Sequence, residues 1–498
     1  MSHPFGLIER EEHTNSKTIK CLDYLKGTVE FEWMDDAKVS PLGSLVFFVQ
    51  FLNSTGVYKS WIDECPLYYT SNNAPKKENV IGTAFLSVLS GHTRYAHATA
   101  LRGDKVNPEL LGMTKVVSED SLRNGLLRID EESGKYWQQK HLIKTLTPML
   151  KVPWILDIDT TIKTVYGRQE GAEVSYNPHK PGRPSHSYHT YIMAKTRLVL
   201  DVDVQPGNQH TSKDTRPELW KLLHGLPKDL WPTLLRGDCG FGNEETMVWP
   251  EEKKLDYLFK VRKSKGIQSI ISNYEHTNDW IDAGQGWEGL EESCQLSGWS
   301  KKRRILILRR LIEYRKKRLK KGQTLLPFEG NELINEPVYE YAVLVTSLSN
   351  SILEIAQLYR DRADAENVFD ELKNQWGWAG YTTKDMKRCQ FITRLIAQVY
   401  NWWSLFVRLA DNDHHREAIT SRPALLHSVA KVVKHSSKTI FQITHLHANA
   451  KNVKKFLEKL TNFLNGFSTT AEQLKQEERW DYIIRMIFRK IFGSMAPT

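Results

Sequence analysis

The chain has 498 residues, and its 69 Lys or Arg against 59 Asp or Glu give a formal net charge of +10. This length allows about three domains with sizeable cores, and the 26% charged and 40% hydrophobic residues are typical of a soluble globular protein. The basic surplus favours a phosphate-rich partner, either nucleic acid or an anionic membrane.

The cysteines and the apolar segments narrow these classes. The five cysteines are an odd number without a C-x-x-C pair, which argues against a disulfide framework or a zinc site and favours a reducing compartment. The N-terminus lacks a signal-peptide pattern. The segment Leu395 to Val407 is about a third shorter than the ~20 residues of a membrane-spanning helix, so we expect a core helix. We therefore expect a cytoplasmic protein with no membrane partner, which leaves nucleic acid.

Residues 1–150 are expected to form a mostly helical N-terminal domain. AFLSVLS and LRNGLLRI have helical spacing and are bounded by Gly, Asn and Pro. Ser118 precedes EDSLRNGLL as a predicted N-cap. Together with the preceding LLGMTKVV, this segment could form a helix-turn-helix that reads DNA. The alternative is an ordinary pair of helices in a helical domain.

The pattern changes at Pro153. WILDIDTTI alternates and predicts a strand, and HTYIMAKT and RLVLDVDVQPG predict a hairpin. The helix TRPELWKLLHGL follows, and after it PTLLRGD and LDYLFKVR predict two more strands. Residues 151–262 are therefore predicted to be the first part of an α/β core.

Residues 263–338 are predicted to be a β-rich insertion. Trp287 and Trp299 lie among Gly, Ser and Glu, and the run from Lys301 to Lys321 carries 12 Lys or Arg against one Glu. So many positive charges would repel one another without anions, so we expect DNA contact rather than only a solvated hairpin. The predicted contact residues are Arg303, Arg304, Arg309 and Arg310.

Residues 339–385 return to the core, with the strand YEYAVLVTSL and ILEIAQLYRDRADAENVFDELKNQW as one long helix. Residues 386–498 are expected to form a basic, helical C-terminal domain.

Two of the predicted strands carry aspartates. Asp157 and Asp159 are two residues apart and share one face of their strand. Asp238 ends the strand LLRGD, and ligand sites in α/β sheets gather at such carboxyl ends. The alternative for Asp238 is a turn-forming role before Gly.

The long predicted helix carries a row of four polar side chains. Tyr359, Arg362, Glu366 and Lys373 fall within a ~60° stripe of an ideal helix. A solvated Arg362–Glu366 pair is the alternative, and Asp370 competes with Glu366 as a metal ligand. Three carboxylates suit Mg²⁺, and two such ions about 4 Å apart can drive an in-line displacement at a phosphodiester. Arg362 and Lys373 would bind flanking phosphates.

The row Y-(2)-R-(3)-E-(6)-K resembles the signature of bacterial insertion-sequence transposases with an Asp-Asp-Glu triad. LDIDTT resembles their first-Asp motif, which selects Asp159 over Asp157, and LLRGDCGFGN resembles the second, with Asp238. The 128-residue gap from Asp238 to Glu366 is similar to the gap that this group fills with a β-strand insertion domain.

The resemblance implies a ribonuclease H-like α/β core, 151–262 and 339–385, with the inserted β-strand domain 263–338 and helical flanks. It implies that Asp159, Asp238 and Glu366 are catalytic and hold two Mg²⁺ ions, which Mn²⁺ can replace. Tyr359, Arg362 and Lys373 would contact DNA, and Trp287 or Trp299 would stack on a flipped base.

The resemblance also implies a homodimer that acts on the transposon ends and on target DNA. Domain 1–150 would bind the ends, and the protein would be in the bacterial cytoplasm at the nucleoid. Two alternatives stay open. One is a ribonuclease H-like nuclease or resolvase, and the other is a transposase-derived DNA-binding protein that does not cut.

Overall fold

The structure is a computed structural model that describes residues 20–492, except positions 26, 32–36, 176, 178–179, 210, 318–333, 411–414, 445–449 and 471–474. The N-terminal part has strands β1 (Lys20–Tyr24), β2 (Gly27–Phe31) and β3 (Val39–Ser40). Six helices follow: α1 (Leu45–Thr55), α2 (Val57–Asp63), α3 (Lys77–Leu89), α4 (Asn107–Leu110), α5 (Glu119–Arg128) and α6 (Glu131–Leu150). Ser118 caps α5 by accepting the Ser121 N–H, as predicted.

The next part of the chain supplies most of the main sheet. Its strands are β4 (Ile155–Thr164), β5 (Glu173–Val174), β6 (Pro184–Met193), β7 (Leu198–Pro206), β8 (Leu234–Gly237) and β9 (Asp256–Lys260). Helices α7 (Thr211–His224) and α8 (Glu244–Lys253) lie between β7 and β9. The predicted hairpin is confirmed, since β6 and β7 pair antiparallel from His186↔Pro206 to Met193↔Leu198.

The predicted insertion begins with α9 (Lys265–Tyr274) and contains strands β10 (Ile281–Gly284), β11 (Trp287–Cys294) and β12 (Arg303–Lys317). Strand β13 (Ile334–Thr346) crosses its predicted end at residue 338 and lies mostly in the predicted second part of the core. The ten strands β4–β13 form one sheet in the order β10-β11-β12-β13-β9-β8-β4-β6-β5, with β7 also on β6. Only the described pairs β4–β8 and β8–β9 are parallel. Because β13 pairs with β9, the insertion strands continue the sheet of the α/β core.

Helices dominate the rest of the chain. They are α10 (Ile352–Arg360), α11 (Ala363–Gln375), α12 (Met386–Ala410), α13 (Ala418–Leu425), α14 (Ala450–Thr470) and α15 (Gln476–Phe492). Strands β14 (Val429–His435) and β15 (Lys438–Thr444) form a hairpin that β3 joins. Within the described ranges, none of the helices combines the length and apolar character needed to cross a bilayer.

Alternation along the central strands gives the sheet two different apolar faces. Leu156 and Ile158 of β4 belong to the large core that contains α6 and α12. Leu234 of β8 faces the other way, into a smaller core with Ile352 and Ile355 of α10. Side chains alternate along a strand. Asp157 and Asp159 of β4 therefore lie on the face opposite to Leu156 and Ile158, which is the face that packs against α10.

Helix α12 lies at the centre of the large core. The predicted core helix from Leu395 to Val407 is confirmed, since every residue of that segment is buried within α12. Trp402 packs edge-on against Trp61 at 5.5 Å between ring centroids. The side-chain amide of Gln138 in α6 donates to the Phe391 carbonyl of α12 at 3.0 Å. The N-terminal helices therefore share one core with α12.

Candidate active site

Two neighbouring parallel strands bring the first two predicted carboxylates together. In the register of β4 and β8, Asp157 faces Arg236 and Ile158 faces Gly237. The next residues along the two strands are Asp159 and Asp238, so the register sets these carboxylates side by side. The two carboxylates also interact electrostatically: burial raises the pKa of Asp159, and the negative charge of Asp238 raises it further.

The predicted long helix is wrong as one element. Helix α10 ends at Arg360, and α11 begins at Ala363. A capping box of Ser351 and Glu354 starts α10. At the break, the backbone N–H of Arg362 donates to the carbonyl of Tyr359, three residues back, at 3.1 Å. The bond four residues back that an α-helix requires is missing at this position.

Arg362 lies against Asp159. Its Nη2 is 2.5 Å from Asp159 Oδ2, and the two side chains are 8% and 11% exposed. The contact is an ion pair rather than a well-aligned hydrogen bond. Burial raises the pKa of Asp159 to about 6, against the opposing charge of Arg362. The site thus pairs a buried carboxyl with one strong cation.

Tyr359 and Lys373 complete the cluster. Burial raises the pKa of Tyr359, and the charges of Arg362, Asp238 and Asp159 act on its hydroxyl. Burial lowers the pKa of Lys373, which the charge of Asp159 opposes. Three residues of the predicted row therefore face the two aspartates, although the helix that carries them is broken.

Glu366 is placed differently. Its residue is exposed on α11. The rival Asp370 is also exposed and accepts a hydrogen bond from Asn374 Nδ2 at 2.7 Å. Among the residues that the structure describes, no group of three or more His, Cys, Asp or Glu side chains is placed to hold a metal ion. The structure brings Asp159 and Asp238 together, but it does not place Glu366 with them as a third metal ligand.

The chemistry of the two aspartates nonetheless fits a divalent cation. Asp159 Oδ1 accepts the Thr160 N–H at 2.7 Å, and Asp238 Oδ1 accepts the Gly240 N–H at 2.9 Å. These bonds orient both carboxylates through Oδ1, while Oδ2 of Asp159 lies against Arg362. Two adjacent carboxylates, one of them raised in pKa, are stabilised by a hard cation with oxygen ligands. The bond from the Gly240 N–H also shows that Asp238 stabilises the turn after β8, which is the alternative role considered for it.

The four predicted DNA-contacting arginines of β12 are already paired with carboxylates. Arg303 binds Glu251 at 2.7 Å and also Glu244. The other three pairs are Arg304–Glu291 at 2.6 Å, Arg309–Glu288 at 2.8 Å and Arg310–Glu340 at 2.8 Å. The argument that these arginines require external anions is therefore wrong. Lys and Arg from 318 to 321 lie outside the described residues.

Cross-strand register explains these pairs. Glu288 of β11 lies directly opposite Arg309 of β12, and Arg310 lies opposite Glu340 of β13. Opposite charges at such positions stabilise a sheet. A linear count of charges along β12 cannot show the acidic residues of its neighbours.

The two predicted base-stacking tryptophans differ in access. Trp299 is 8% exposed, with the guanidinium of Arg303 at 5.4 Å from its ring centroid. Trp287 is half-buried on β11, with Arg310 at 5.0 Å. Of the two rings, Trp287 is the more accessible for stacking.

One part of the site was missed at the sequence level. Arg236 and Asp157 are each 1% exposed and form a bidentate pair, at 2.5 and 2.7 Å, directly behind the two aspartates. The signal was present, because each residue stands two positions before a predicted ligand. The two aspartates of β4 thus have different partners, Arg236 for Asp157 and Arg362 for Asp159.

Comparison with known proteins identifies the class. The chain matches the family described as transposase DDE domain group 1 over residues 43–465 and therefore belongs to this family. None of the curated proteins compared with the chain matches it. It is similar to the piggyBac transposase in a cryo-EM structure of the synaptic complex with hairpin DNA. That similarity has 11% identity and a TM-score of 0.39, covering 92% of this chain and 87% of the other.

Proposed function

We propose that this protein is an insertion-sequence transposase that binds the terminal inverted repeats of its element, cuts the ends and joins the 3′-hydroxyl to target DNA. The observation that carries the proposal is the register of β4 and β8, which sets Asp159 beside Asp238. Membership of the DDE transposase family supports the reaction class. The Tyr-Arg-Glu-Lys row supports the bacterial insertion-sequence group.

Asp159, Asp238 and Glu366 would hold two Mg²⁺ ions, or Mn²⁺ in their place. When bound, these ions supply activation of the attacking oxygen and stabilisation of the leaving oxygen. Glu366 stands on α11 four residues after Arg362, and a movement of α11 relative to β4 would bring its carboxylate to the two aspartates. The exposure of Glu366 gives its side chain the freedom to do so.

Arg362, Lys373 and Tyr359 would position the DNA backbone. A guanidinium binds phosphate bidentately and an ammonium binds it as a point charge. Arg362 lies against Asp159, so a phosphate held by Arg362 would stand next to the first aspartate. The hydroxyl of Tyr359 would donate a hydrogen bond to a neighbouring phosphate oxygen.

The remaining assignments concern DNA ends and assembly. Domain 1–150 would bind the ends, and two copies of the chain would act on two ends and the target, in the bacterial cytoplasm at the nucleoid. Trp287 in the inserted domain 263–338 is the favoured side chain for stacking on a flipped base, since it is more exposed than Trp299. The basic domain 386–498 would add contacts to DNA phosphates.

The exposed position of Glu366 favours one second candidate, a transposase-derived protein that binds DNA without cutting it. The test is cleavage of DNA carrying the element's own ends, with Mg²⁺ or Mn²⁺ and with EDTA. We expect the wild type and Asp370→Asn to cut, and Glu366→Gln to bind without cutting. Normal cutting by Glu366→Gln refutes the triad, whereas binding without cutting by the wild type, even with Mn²⁺, establishes the second candidate.

A further inference from the structure

We propose that Arg236 is a positioning residue that sets the mutual arrangement of the three elements carrying Asp159, Asp238 and Glu366. The inference deepens the proposed function and rests on it for the roles of those carboxylates. Arg236 stands on β8, two residues before Asp238, with a side chain that is 1% exposed. Its guanidinium contacts β4, which carries Asp159, and the end of α10, the helix directly before α11 and Glu366.

The first contact joins β8 to β4. Nε and Nη2 of Arg236 donate to the two carboxylate oxygens of Asp157 at 2.5 and 2.7 Å. The two residues are direct partners in the parallel register. Asp157 precedes Asp159 by two residues, and Arg236 precedes Asp238 by two. The pair therefore fixes β4 and β8 at the level immediately below the two predicted ligands.

The second contact joins β8 to the helices. Nη1 of Arg236 donates to the backbone carbonyl of Leu358. In an uninterrupted α-helix this carbonyl would accept the N–H of Arg362. Here Arg362 donates to Tyr359 instead, and α10 ends at Arg360. The guanidinium thus takes the place of a backbone donor, and insertion of a side chain into the helical ladder is a known cause of a break.

The break determines where the residues after it can reach. Tyr359 precedes it, while Glu366 and Lys373 follow it on α11. Arg362 stands at the break and contacts Asp159. Because a guanidinium is a rigid plane with donors in fixed directions, one side chain can set three elements at defined distances. A lysine at this position has one flexible ammonium and cannot serve all three acceptors.

A merely structural ion pair is the competing explanation, and the chain contains a matched control for it. Arg394 on α12 is also 1% exposed and donates to Asp201 and Asp203 of β7 at 3.0 and 3.2 Å. That network lies on the opposite face of the sheet and does not contact α10 or α11. Arg236→Lys and Arg394→Lys therefore remove comparable buried guanidinium pairs at different places.

The test uses full-length protein and DNA carrying the element's ends, below the melting temperature of every variant. We expect Arg236→Lys to cut the ends about a hundredfold more slowly, since displacements near 1 Å have effects of this size. End binding should stay within about threefold of wild type, because the phosphate-binding side chains remain. Arg394→Lys should show a similar fall in melting temperature without the loss of cleavage. Equal cleavage by the two variants overturns the proposal.

A double variant separates folding from positioning. Asp157→Leu with Arg236→Met leaves no unpaired buried charge, so its melting temperature should return toward the wild-type value. Its cleavage should stay low, since no guanidinium then links the Leu358 carbonyl at the end of α10 to β8. Recovery of cleavage together with stability overturns the proposal.

A crystal structure of this double variant without DNA or metal gives a readout independent of activity. We expect the Arg362 N–H to return to the Leu358 carbonyl and α10 to continue into α11. If the break between Arg360 and Ala363 persists, Arg236 does not set it and the proposal fails, even where the wild type cuts DNA. If the break closes but the wild type never cuts, the proposed function fails while the structural role of Arg236 stands.

Discussion

Arg362 and Asp159 form the one direct ion pair between the broken helix and β4 in the described site, with 2.5 Å between Nη2 and Oδ2. The guanidinium places a positive charge directly against the first aspartate, and it comes from the break between two helices rather than from a strand of the sheet. Its position depends on α10 and α11, so the charge balance at Asp159 depends on how the helices are held.

We expect Arg362→Ala to slow end cleavage by at least about a hundredfold, because in the proposed site Arg362 is a preorganised donor to the reacting phosphate. Arg360→Ala is the matched control. Arg360 donates to the Ala283 carbonyl and to Gln357, and neither of these partners belongs to the predicted site. Single-turnover cleavage of labelled ends measures both. A loss of the same size in the two variants would assign the effect to helix stability.

We expect Arg303→Met to lower the free energy of unfolding by about 3 kcal/mol at pH 7, because it removes the buried guanidinium that pairs with the partly buried Glu244 and Glu251. Arg315→Met is the control, since its pair with Glu313 is largely exposed and should contribute less than about 1 kcal/mol. Urea unfolding of both variants decides this comparison.

The same network predicts an acid dependence of stability. Burial acts to raise the pKa of Glu251, but hydrogen bonds from Arg303, Lys301 and Tyr257 outweigh it and lower the pKa to about 2. A lowered pKa in the folded state stabilises the protein above the ordinary pKa of 4.5 and loses that contribution as pH falls toward 2. The difference between wild type and Arg303→Met should therefore shrink over this interval. A constant difference would contradict the pairing.

His141 predicts a second pH dependence, in a milder range. Burial lowers its pKa to about 4, although Glu64 opposes this shift. Because the unfolded chain binds the proton more readily, the folded state loses stability as pH falls from 6.5 toward 4, by up to about 3 kcal/mol. His141→Gln should flatten this part of the curve, whereas His435→Gln, at an exposed position, should leave it unchanged. Unfolding midpoints between pH 7 and 4 provide the measurement.

The two tryptophans of the insertion should separate stability from DNA handling. Trp299→Ala removes a buried side chain and should cost about 3 kcal/mol or more. Trp287→Ala should cost less and should slow end cleavage by tenfold or more if the ring stacks on a base, an effect of about 1 to 3 kcal/mol. Normal cleavage by both variants would remove base stacking by these residues from the proposed function.

Local patterns predicted the strands well and the helix break not at all. The hairpin β6–β7 and the strands before Asp159 and Asp238 follow from alternation over a few residues. The break in the segment RDRAD contains neither Gly nor Pro. It coincides with a contact from Arg236, 122 residues away in the chain. No pattern within the helix could report it.

The sequence shows the charges within each strand but not which charged residues of other strands lie opposite them. The basic run of β12 indicated an anionic partner, but the partners that the structure shows are glutamates of β11, β13 and α8. Strand order decides which residues become neighbours, and the sequence did not reveal that order. The triad was inferred from spacing and resemblance, and its third member, Glu366, is the residue that the described contacts leave least defined.

The shared core of α6 and α12 has a consequence for synthesis on the ribosome. Trp61 and Gln138 emerge more than 250 residues before their partners Trp402 and Phe391. Until α12 has left the exit tunnel, the aromatic side chains that pack against α12 lack this contact, and apolar surface exposed in this way favours chaperone binding. A message truncated before codon 386 would therefore yield a polypeptide that contains all three carboxylates but lacks the helix that closes its core.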